Sequence, residues 1–296
     1  MIKKLIAIDL RTYRAQLKWA IPIYLLLQIS ALVLKGLNIP SLGGFAHVIA
    51  IIATVLLIPI ALLLGLVNYY RSLYTNQAYL THTLPVTPGQ RYLGKLFSGF
   101  ILYVSATIAT LIGVILAVLA WGLADGSGFQ AVATMFKLIG SWPDLIAITP
   151  LVGWSFAVII WLLIYLNSYA VYSFCISLGM GRRLSRYGIG GPFLVYLIYY
   201  IANQVIGLAA FVFIPLSLRI SYVSGAIQSK IVTVMPIRQL WRVGFTDQMN
   251  NMGFEEGIDY LGGHIDFGLG IFVLMIAFII FSYFFTKRQL GRVNLR

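Results

Sequence analysis

Long apolar runs separated by short polar intervals dominate the pattern of the chain. A helix that crosses a bilayer needs about 20 predominantly apolar residues. Six runs come close to or exceed that length, and they cover residues 19–37, 45–70, 96–123, 145–178, 192–218 and 267–286. The pattern predicts an all-α integral membrane protein with six transmembrane helices. The run 145–178 is too long for one straight span, so we expect it to tilt, to extend beyond the bilayer or to begin with a short turn near Pro150.

The segment before the first span, residues 1–18, alternates aliphatic residues with five lysines and arginines. This mixture favours a helix lying in the cytoplasmic interface, with its bases near the lipid headgroups. A cytoplasmic extension of the first span is the alternative. Polar and charged residues interrupt the segment as far as Lys18, which is not the pattern of a cleavable signal peptide. We therefore expect the first apolar run to remain in the mature protein.

One interval between the runs, residues 219–266, is much longer than a simple connection. It combines aliphatic stretches with a late acidic patch around Glu255 and Glu256. Loops longer than about 15 residues usually have a function or are disordered. The aliphatic content argues against disorder, so we expect short helices packed at the outer mouth of the bundle.

Composition agrees with a single transmembrane domain over residues 1–296. Hydrophobic residues make up 60% of the chain and charged residues 10%, with a mean hydropathy of +0.91. A soluble domain has about 25% charged residues, so we do not expect a water-soluble fold.

The distribution of charge predicts the orientation. The chain has 21 lysines and arginines against 8 acids, a net charge of +13. With the N-terminus inside, the inner segments 1–18, 71–95, 179–191 and 287–296 hold 15 bases and a single acid, Asp9, whereas the outer segments hold 6 bases and 7 acids. The positive-inside rule then places both termini in the cytoplasm and the chain in the cell membrane. Because topology accounts for the excess of bases, we expect no nucleic-acid partner.

The sequence offers little chemistry for catalysis. It has no glycine-rich phosphate loop, no paired metal-ligand motif among its three histidines, and a lone cysteine, Cys175, inside an apolar run. We therefore expect no catalytic residues, no metal site and no cofactor bound by this chain. The apolar runs contain almost no ionisable groups, which argues against an ion-coupled transporter.

A few mildly polar residues remain inside the runs. Such residues either form hydrogen bonds between helices or line a substrate path. The candidates for a path are Asn167, Asn203 and Gln204, with Tyr199 as a neighbouring aromatic wall.

The most informative segment is the first inner loop, residues 71–95. Tyr79, Leu80, Thr83 and Leu84 are spaced so that one short helix, ended by Pro85, presents them on one face. A second helix is expected to begin near Pro88, because proline is favoured in a first helical turn. A short helix held between two spanning helices acts as a lever, since a force on it moves both spans.

This loop resembles the first cytoplasmic loop of bacterial ABC-2-type permeases, the membrane subunits of ABC exporters. The resemblance rests on Leu73-Tyr74, Tyr79-Leu80-Thr81, Thr83-Leu84-Pro85-Val86, Gln90-Arg91 and Lys95-Leu96, joined to six spans, inner termini, a leading interfacial helix and a long last outer loop. It implies an exporter permease that forms the translocation pathway with a second permease subunit, identical or related. It also implies separate ABC ATPase subunits, which bind ATP and magnesium. The implied ATPase contacts are Tyr74, Tyr79, Leu80, Thr81, His82, Thr83 and Leu84.

The cargo that the family suggests is an amphipathic peptide, a lipid or an antibiotic. Two other classes of function stay open. One is a membrane sensor or assembly subunit that does not transport and whose outer loop binds a peptide. The other is an intramembrane enzyme, which needs clustered histidines or carboxylates at membrane depth; the sequence shows no such cluster.

Overall fold

The structure is a computed structural model, and it describes residues 2–39, 41–75, 78–83, 85–145, 148–181, 184–223, 226–238 and 263–291. Helices dominate these residues. They are α1 (Ile2–Leu17), α2 (Ala20–Gly36), α3 (Leu42–Tyr74), α4 (Ala78–Thr83), α5 (Pro88–Ala124), α6 (Phe129–Gly140), α7 (Trp142–Leu145), α8 (Pro150–Gly179), α9 (Gly190–Phe213) and α10 (Gly270–Leu290), with a 3-10 turn at Ser185–Tyr187. The strands are β1 (Ser217–Val223), β2 (Ala226–Val232) and β3 (His264–Gly268).

Five described helices are each long and apolar enough to cross a membrane: α3, α5, α8, α9 and α10. Helices α1 and α2 meet at a bend of 50°, and together they make a sixth candidate if the pair counts as one span. The chain is thus a largely helical protein with five or six helices able to span a membrane, as expected of a multi-pass membrane protein.

The six apolar runs lie mostly within α2, α3, α5, α8, α9 and α10. Two helices extend beyond their apolar runs: α3 continues to Tyr74, and α5 already starts at Pro88. The long fourth run is divided near Pro150, where α8 begins after the short helix α7. Proline in the first turn of α8 explains this boundary, since that position needs no amide hydrogen.

The spanning helices pack as two groups. Helices α1, α2, α3 and α5 form one group, and α8, α9 and α10 form the other. In the first group, Gly113 of α5 lies so close to Tyr24 of α2 and Thr54 of α3 that a Cβ atom would collide with both side chains. At the same level, Gln28 Nε2 donates to Thr54 Oγ1 over 2.8 Å. The absence of a side chain on Gly113 and the buried amide of Gln28 thus fix the junction of α2, α3 and α5.

Helix α1 is docked on this group through polar contacts that lie out of water. The Asp9 carboxylate accepts from Lys95 Nζ at 2.5 Å and from Ser98 Oγ at 2.9 Å, and both residues belong to α5. One turn further along α1, the Tyr13 hydroxyl accepts from Asn68 Nδ2 of α3 at 3.2 Å. The side chains of Asp9 and Lys95 are only 5% and 9% exposed. Helix α1 is therefore an integral part of the bundle on one face.

A three-stranded antiparallel sheet follows α9, in the order β2-β1-β3. Short helices were expected in residues 219–266. This expectation is wrong for residues 219–223, 226–232 and 264–266, which lie in strands. Ser217, Arg219 and Ser221 alternate with apolar residues along β1, and this period of two is the pattern of a strand. Residues 239–262 lie outside the described chain, and they include most of the acidic patch.

An ion pair joins β1 to β3, the strand that follows the undescribed residues 239–262. Arg219 on β1 lies directly opposite Asp266 on β3, and its guanidinium donates to both carboxylate oxygens at 2.8 Å. These hydrogen bonds raise the pKa of Arg219 above its ordinary value. The Asp266 side chain is only 2% exposed, so the pair holds β3 against β1 with a charge-assisted contact.

Candidate coupling site

Helix α4 lies between two of the longest spanning helices, with only a few residues on either side of it. Helix α3 ends at Tyr74, and the Ala78 amide then donates to the Thr75 carbonyl at 2.7 Å as α4 begins. Beyond α4, a capping box starts α5: Thr87 Oγ1 accepts from the Gln90 amide at 3.3 Å, and Gln90 Oε1 accepts from the Thr87 amide at 3.1 Å. The prediction of a short helix before Pro85 and a new helix at Pro88 is confirmed.

The residues of α4 differ in exposure. Ala78 is buried, and so is Val86 just after the helix. By contrast, Tyr79 is 63% exposed and Thr83 is also exposed, while Thr81 is half-buried. The side chains of Leu80 and His82, and the whole of Leu84, lie outside the described residues. Among the described positions, Tyr79 is the large apolar group that α4 presents to its surroundings.

Tyr74, which the family resemblance assigns to the ATPase contact, lies differently from Tyr79. It is partly buried, and its hydroxyl donates to Ser177 Oγ near the end of α8 at 2.9 Å. The Tyr69 ring lies 6.2 Å away and its hydroxyl also bonds to Ser177, at 3.2 Å. Tyr74 therefore links the end of α3, next to α4, to the other helix group.

We call the contact between the two helix groups at this end the tyrosine–serine seam. It comprises Tyr69 and Tyr74 of α3, Tyr92 of α5, and Tyr169, Ser173 and Ser177 of α8. The Tyr169 ring packs edge-on against Tyr69 and Tyr92, with ring centroids 5.9 and 5.5 Å apart. Tyr92 also bonds to Ser173 over 3.4 Å. Both helices that hold α4 are thus attached to α8 by aromatic contacts and hydroxyl groups.

A small cavity, with room for about one water molecule, lies beside the seam. Small residues of α3 and α5 form one wall, and tyrosines of α8 form the other; the lining includes Ala61, Gly65, Gly99, Tyr165, Tyr169 and Tyr172. The buried Tyr169 hydroxyl has no hydrogen-bond partner among the described residues. The seam therefore combines tight contacts with one loosely filled spot.

The C-terminal part of α10 also reaches this end of the bundle. The Tyr283 ring packs edge-on against Tyr92, with ring centroids 5.5 Å apart. A Cβ atom on Gly89, in the first turn of α5, would lie 3.4 Å from the Tyr283 hydroxyl and 3.6 Å from Lys287 Cε. Ser282 Oγ in turn donates to the Ala170 carbonyl of α8 at 2.7 Å. The start of α5 thus contacts both α8 and α10.

The four residues expected to line a pathway do not come together around a cavity in the described chain. Tyr199 donates to Asn203 Oδ1 on its own helix at 3.3 Å and packs against Phe278 of α10. Asn203 and Gln204 are exposed on α9, whereas Asn167 of α8 is half-buried. The two amide side chains on α9 therefore face outward from this single chain.

Neither the serines of the seam nor the Asp9–Lys95 pair was predicted from the sequence, although the sequence contains a signal for each. Ser173 and Ser177 stand four residues apart in an apolar run, so they lie on one helix face. Asp9 is the sole acid among the 15 bases predicted to be inside, and an isolated acid of this kind calls for a specific partner. The identity of that partner depends on tertiary structure.

Within the described residues, no group of three or more histidines, cysteines or carboxylates is placed to hold a metal ion. Comparisons with family models, with curated proteins and with solved structures found no match for the chain. The functional argument therefore depends on the geometry of the bundle itself.

Proposed function

We propose that the chain is the permease subunit of an ATP-driven ABC exporter of the ABC-2 type, and that α4 receives the force of a separate ATPase. The observation that carries this proposal is the geometry of α4. It is a six-residue helix between two long spanning helices, with Tyr79 exposed on it. Movement of α4 is transmitted to α3 at Thr75 and to α5 at Thr87.

The tyrosine–serine seam supports the proposal because it connects α3 and α5, on either side of α4, to the second helix group. Tyr74 and Tyr92 attach the base of α3 and α5 to Ser177 and Ser173 of α8. A displacement of α4 therefore reaches α8 in the second helix group through these contacts, as an alternating pathway requires. Exposed Tyr79 and Thr83 are the contacts with the ATPase under this proposal, with Leu80, Thr81, His82 and Leu84 beside them.

Charge supports the orientation in which α4 is cytoplasmic. Helix α1, the start of α5 and the end of α10 meet at the same end as α4, and together with Arg71 and Arg186 they carry 10 of the 16 described bases. The opposite end carries the sheet. By the positive-inside rule, the α4 end faces the cytoplasm of the cell, where ATP and magnesium bind to the ATPase subunits.

A second permease subunit completes the pathway in this proposal. Asn203 and Gln204 are exposed at membrane depth on α9, where lipid offers no hydrogen bonds. A second subunit, identical or related, packs over them or encloses a path between the two chains. The cargo class in this proposal is an amphipathic peptide, a lipid or an antibiotic, as the family resemblance implies, and the aromatic and amide groups of Tyr199, Phe278 and Asn203 are compatible with such a cargo.

The test is co-expression of the tagged chain with ABC-type ATPases encoded near its gene, followed by purification. We expect an ATPase to co-purify, and a Tyr79→Ala variant to bind it at least about 5-fold more weakly, since a buried interface tyrosine contributes 1 kcal/mol or more. Tyr187→Ala is the matched control, because Tyr187 is 56% exposed on the 3-10 turn at the same end.

Two results would contradict the proposal. One is the absence of any co-purifying ATPase from a well-folded preparation. The other is an equal effect of the two tyrosine variants on ATPase binding and on the ATPase rate of the complex. A chain that binds a peptide at its outer segments, without an ATPase, would support the sensor alternative instead.

A further inference from the structure

Helix α6 carries its large aromatic and branched side chains on a side that no part of the described chain covers. No residue of this helix is buried. Phe129, Phe136 and Ile139 are 77%, 53% and 44% exposed. At 3.6 residues per turn, these three side chains fall within an arc of about 80°. We call them the apolar face of α6.

The polar residues of α6 lie on another side of the helix. Gln130, Thr134 and Lys137 are all exposed and fall within an arc of about 60°. The centres of the polar and apolar arcs are about 150° apart. One of the sides between them packs on the bundle, since a Cβ atom on Gly122 of α5 would lie 2.7 Å from Ala131 Cβ. Helix α6 thus has separate sides for the bundle, for water and for an apolar medium.

Both ends of α6 are attached to the ends of spanning helices opposite α4. At its start, α6 packs on Gly122, two residues before the end of α5. A Cβ atom on Gly36, the last residue of α2, would lie 3.3 Å from Leu123 Cδ1, so α2 ends at this level too. After α6, Pro143 of α7 packs on Gly153, in the first turn of α8. Helix α6 therefore links the two helix groups at the end of the bundle opposite α4.

Exposed tryptophans stand beside both attachment points. Trp121 adjoins Gly122 on α5, and Trp154 adjoins Gly153 on α8. Tryptophan concentrates at membrane surfaces, where its ring lies among the headgroups. The apolar runs of these helices also end here, since α5 is apolar as far as Leu123. Helix α6 therefore lies at the boundary between hydrocarbon and water.

The two attachment points differ in depth. The Trp161 ring of α8 stacks on the Tyr103 ring of α5, with ring centroids 5.0 Å apart. Gly153 is eight residues from Trp161, whereas Gly122 is 19 residues from Tyr103. At 1.5 Å per residue, the C-terminal end of α6 lies up to about 16 Å deeper than its N-terminal end, a distance that its 12 residues can span. Ile139, near the C-terminal end, is therefore the deepest side chain of the apolar face.

From this geometry we infer that α6 is a lipid-binding helix, whose apolar face inserts into the acyl chains of the outer leaflet while Gln130, Thr134 and Lys137 face water. Lipid is the partner because the apolar face lies where the hydrocarbon ends, and because a polar face stands opposite it, as in helices at membrane surfaces. The inserted side chains fix the depth of the link between the two helix groups. The inference needs only a chain that spans the membrane with its α4 end inside, and it is independent of an ATPase partner.

The first measurement determines which positions of α6 meet water outside the cell. Single variants place cysteine at Gln130, Thr134, Phe136 or Ile139, in a chain whose buried Cys175 is replaced by alanine. All four positions are exposed, so the substitutions leave the packing of the bundle intact. Intact cells are treated with a membrane-impermeant maleimide. Gln130→Cys and Thr134→Cys should react rapidly, and Phe136→Cys and Ile139→Cys at least about tenfold more slowly, because an apolar medium suppresses the reactive thiolate.

The second measurement identifies what covers the apolar face. The same variants carry a nitroxide spin label in the full-length chain, reconstituted in phospholipid vesicles. Oxygen concentrates in hydrocarbon and a nickel chelate stays in water, so the relaxation that each causes reports the surroundings of the label. We expect oxygen to dominate at Phe136→Cys and Ile139→Cys, and the nickel chelate at Gln130→Cys and Thr134→Cys. A label at Phe129→Cys should lie nearer the surface than one at Ile139→Cys.

Leu138→Cys is the matched control for Ile139→Cys. Leu138 is also aliphatic and exposed, but it lies about 100° away from Ile139 around the helix. Its label should therefore respond to oxygen much less, and to the nickel chelate much more, than the label at Ile139→Cys. An equal response at the two positions would contradict the assignment of the apolar face.

Three further results would overturn the inference. Equal reaction of all four cysteines in intact cells would place the apolar face in water. Labels at Phe136→Cys and Ile139→Cys that are shielded from both oxygen and the nickel chelate would mean that protein covers this face, either a second copy of the chain or another of its segments. Reaction of Gln130→Cys only after the cells are opened would place α6 on the inner side of the membrane.

Discussion

The buried ion pair between α1 and α5 makes a sharp prediction for the variant Asp9→Asn. The substitution keeps the shape of the side chain and removes its charge. Lys95, whose side chain is only 9% exposed, is then left without a counterion. Removing one partner of a buried ion pair typically costs about 3 to 5 kcal/mol, because the other charge remains out of water.

The cost is expected to appear first in the docking of α1. Lys95 regains solvent if α1 leaves the bundle, so local opening relieves the unpaired charge at a smaller cost than global unfolding. A loss of 3 kcal/mol corresponds to a more than 100-fold increase in the population of the opened form. Amide hydrogen exchange over Ile2–Leu17, measured on the reconstituted chain, should accelerate by about that factor.

Two further variants isolate the cause. Asp144→Asn removes an exposed carboxylate and should change exchange in α1 by less than about twofold, as surface substitutions usually do. The double variant Asp9→Asn with Lys95→Met removes both charges and should recover most of the protection. If Asp9→Asn is as mild as Asp144→Asn, or if the double variant exchanges as fast as Asp9→Asn alone, the reasoning about this pair is refuted.

Three other substitutions test separate contacts. Gly113→Val should destabilise the junction of α2, α3 and α5 by about 1 to 3 kcal/mol through overpacking, whereas Gly207→Ala, which has open space around it, should be harmless in the same thermal unfolding assay. Asp266→Asn should lose a charge-assisted contact of about 1.5 to 3 kcal/mol and should speed proteolysis between β2 and β3, and an unchanged cleavage rate would argue against the ion pair. For the proposed exporter, Ser177→Ala should lower transport per ATP hydrolysed more than Ser155→Ala, which removes a hydroxyl that donates within its own helix; equal ratios would contradict a role of the seam in the proposed coupling.

The helices could be predicted from the sequence because the cause is local. A run such as residues 45–70 has enough consecutive apolar residues to cross a bilayer, and Pro88 marks the start of α5 by its own chemistry. The short helix α4 followed from residue spacing for the same reason. These features depend on neighbours within a few residues.

The features that were missed depend on residues far apart in the chain. Asp9 and Lys95 are separated by 86 positions, and Tyr74 and Ser177 by 103 positions. No periodicity links such pairs, so their contacts follow only from how the helices pack. The alternation in β1 was visible in the sequence, but its apolar content was interpreted as short helices.

The hydroxyl of Ser177 occupies a branching point, since Tyr74 donates to it and Tyr69 lies within hydrogen-bonding distance of it. A serine oxygen has one proton and two lone pairs, so Tyr69 can either give a proton to Ser177 or receive one from it. The two arrangements differ only by rotation of hydroxyl hydrogens, with every heavy atom in place. This part of the protein can therefore exchange its hydrogen-bonding pattern without moving a heavy atom or opening a void.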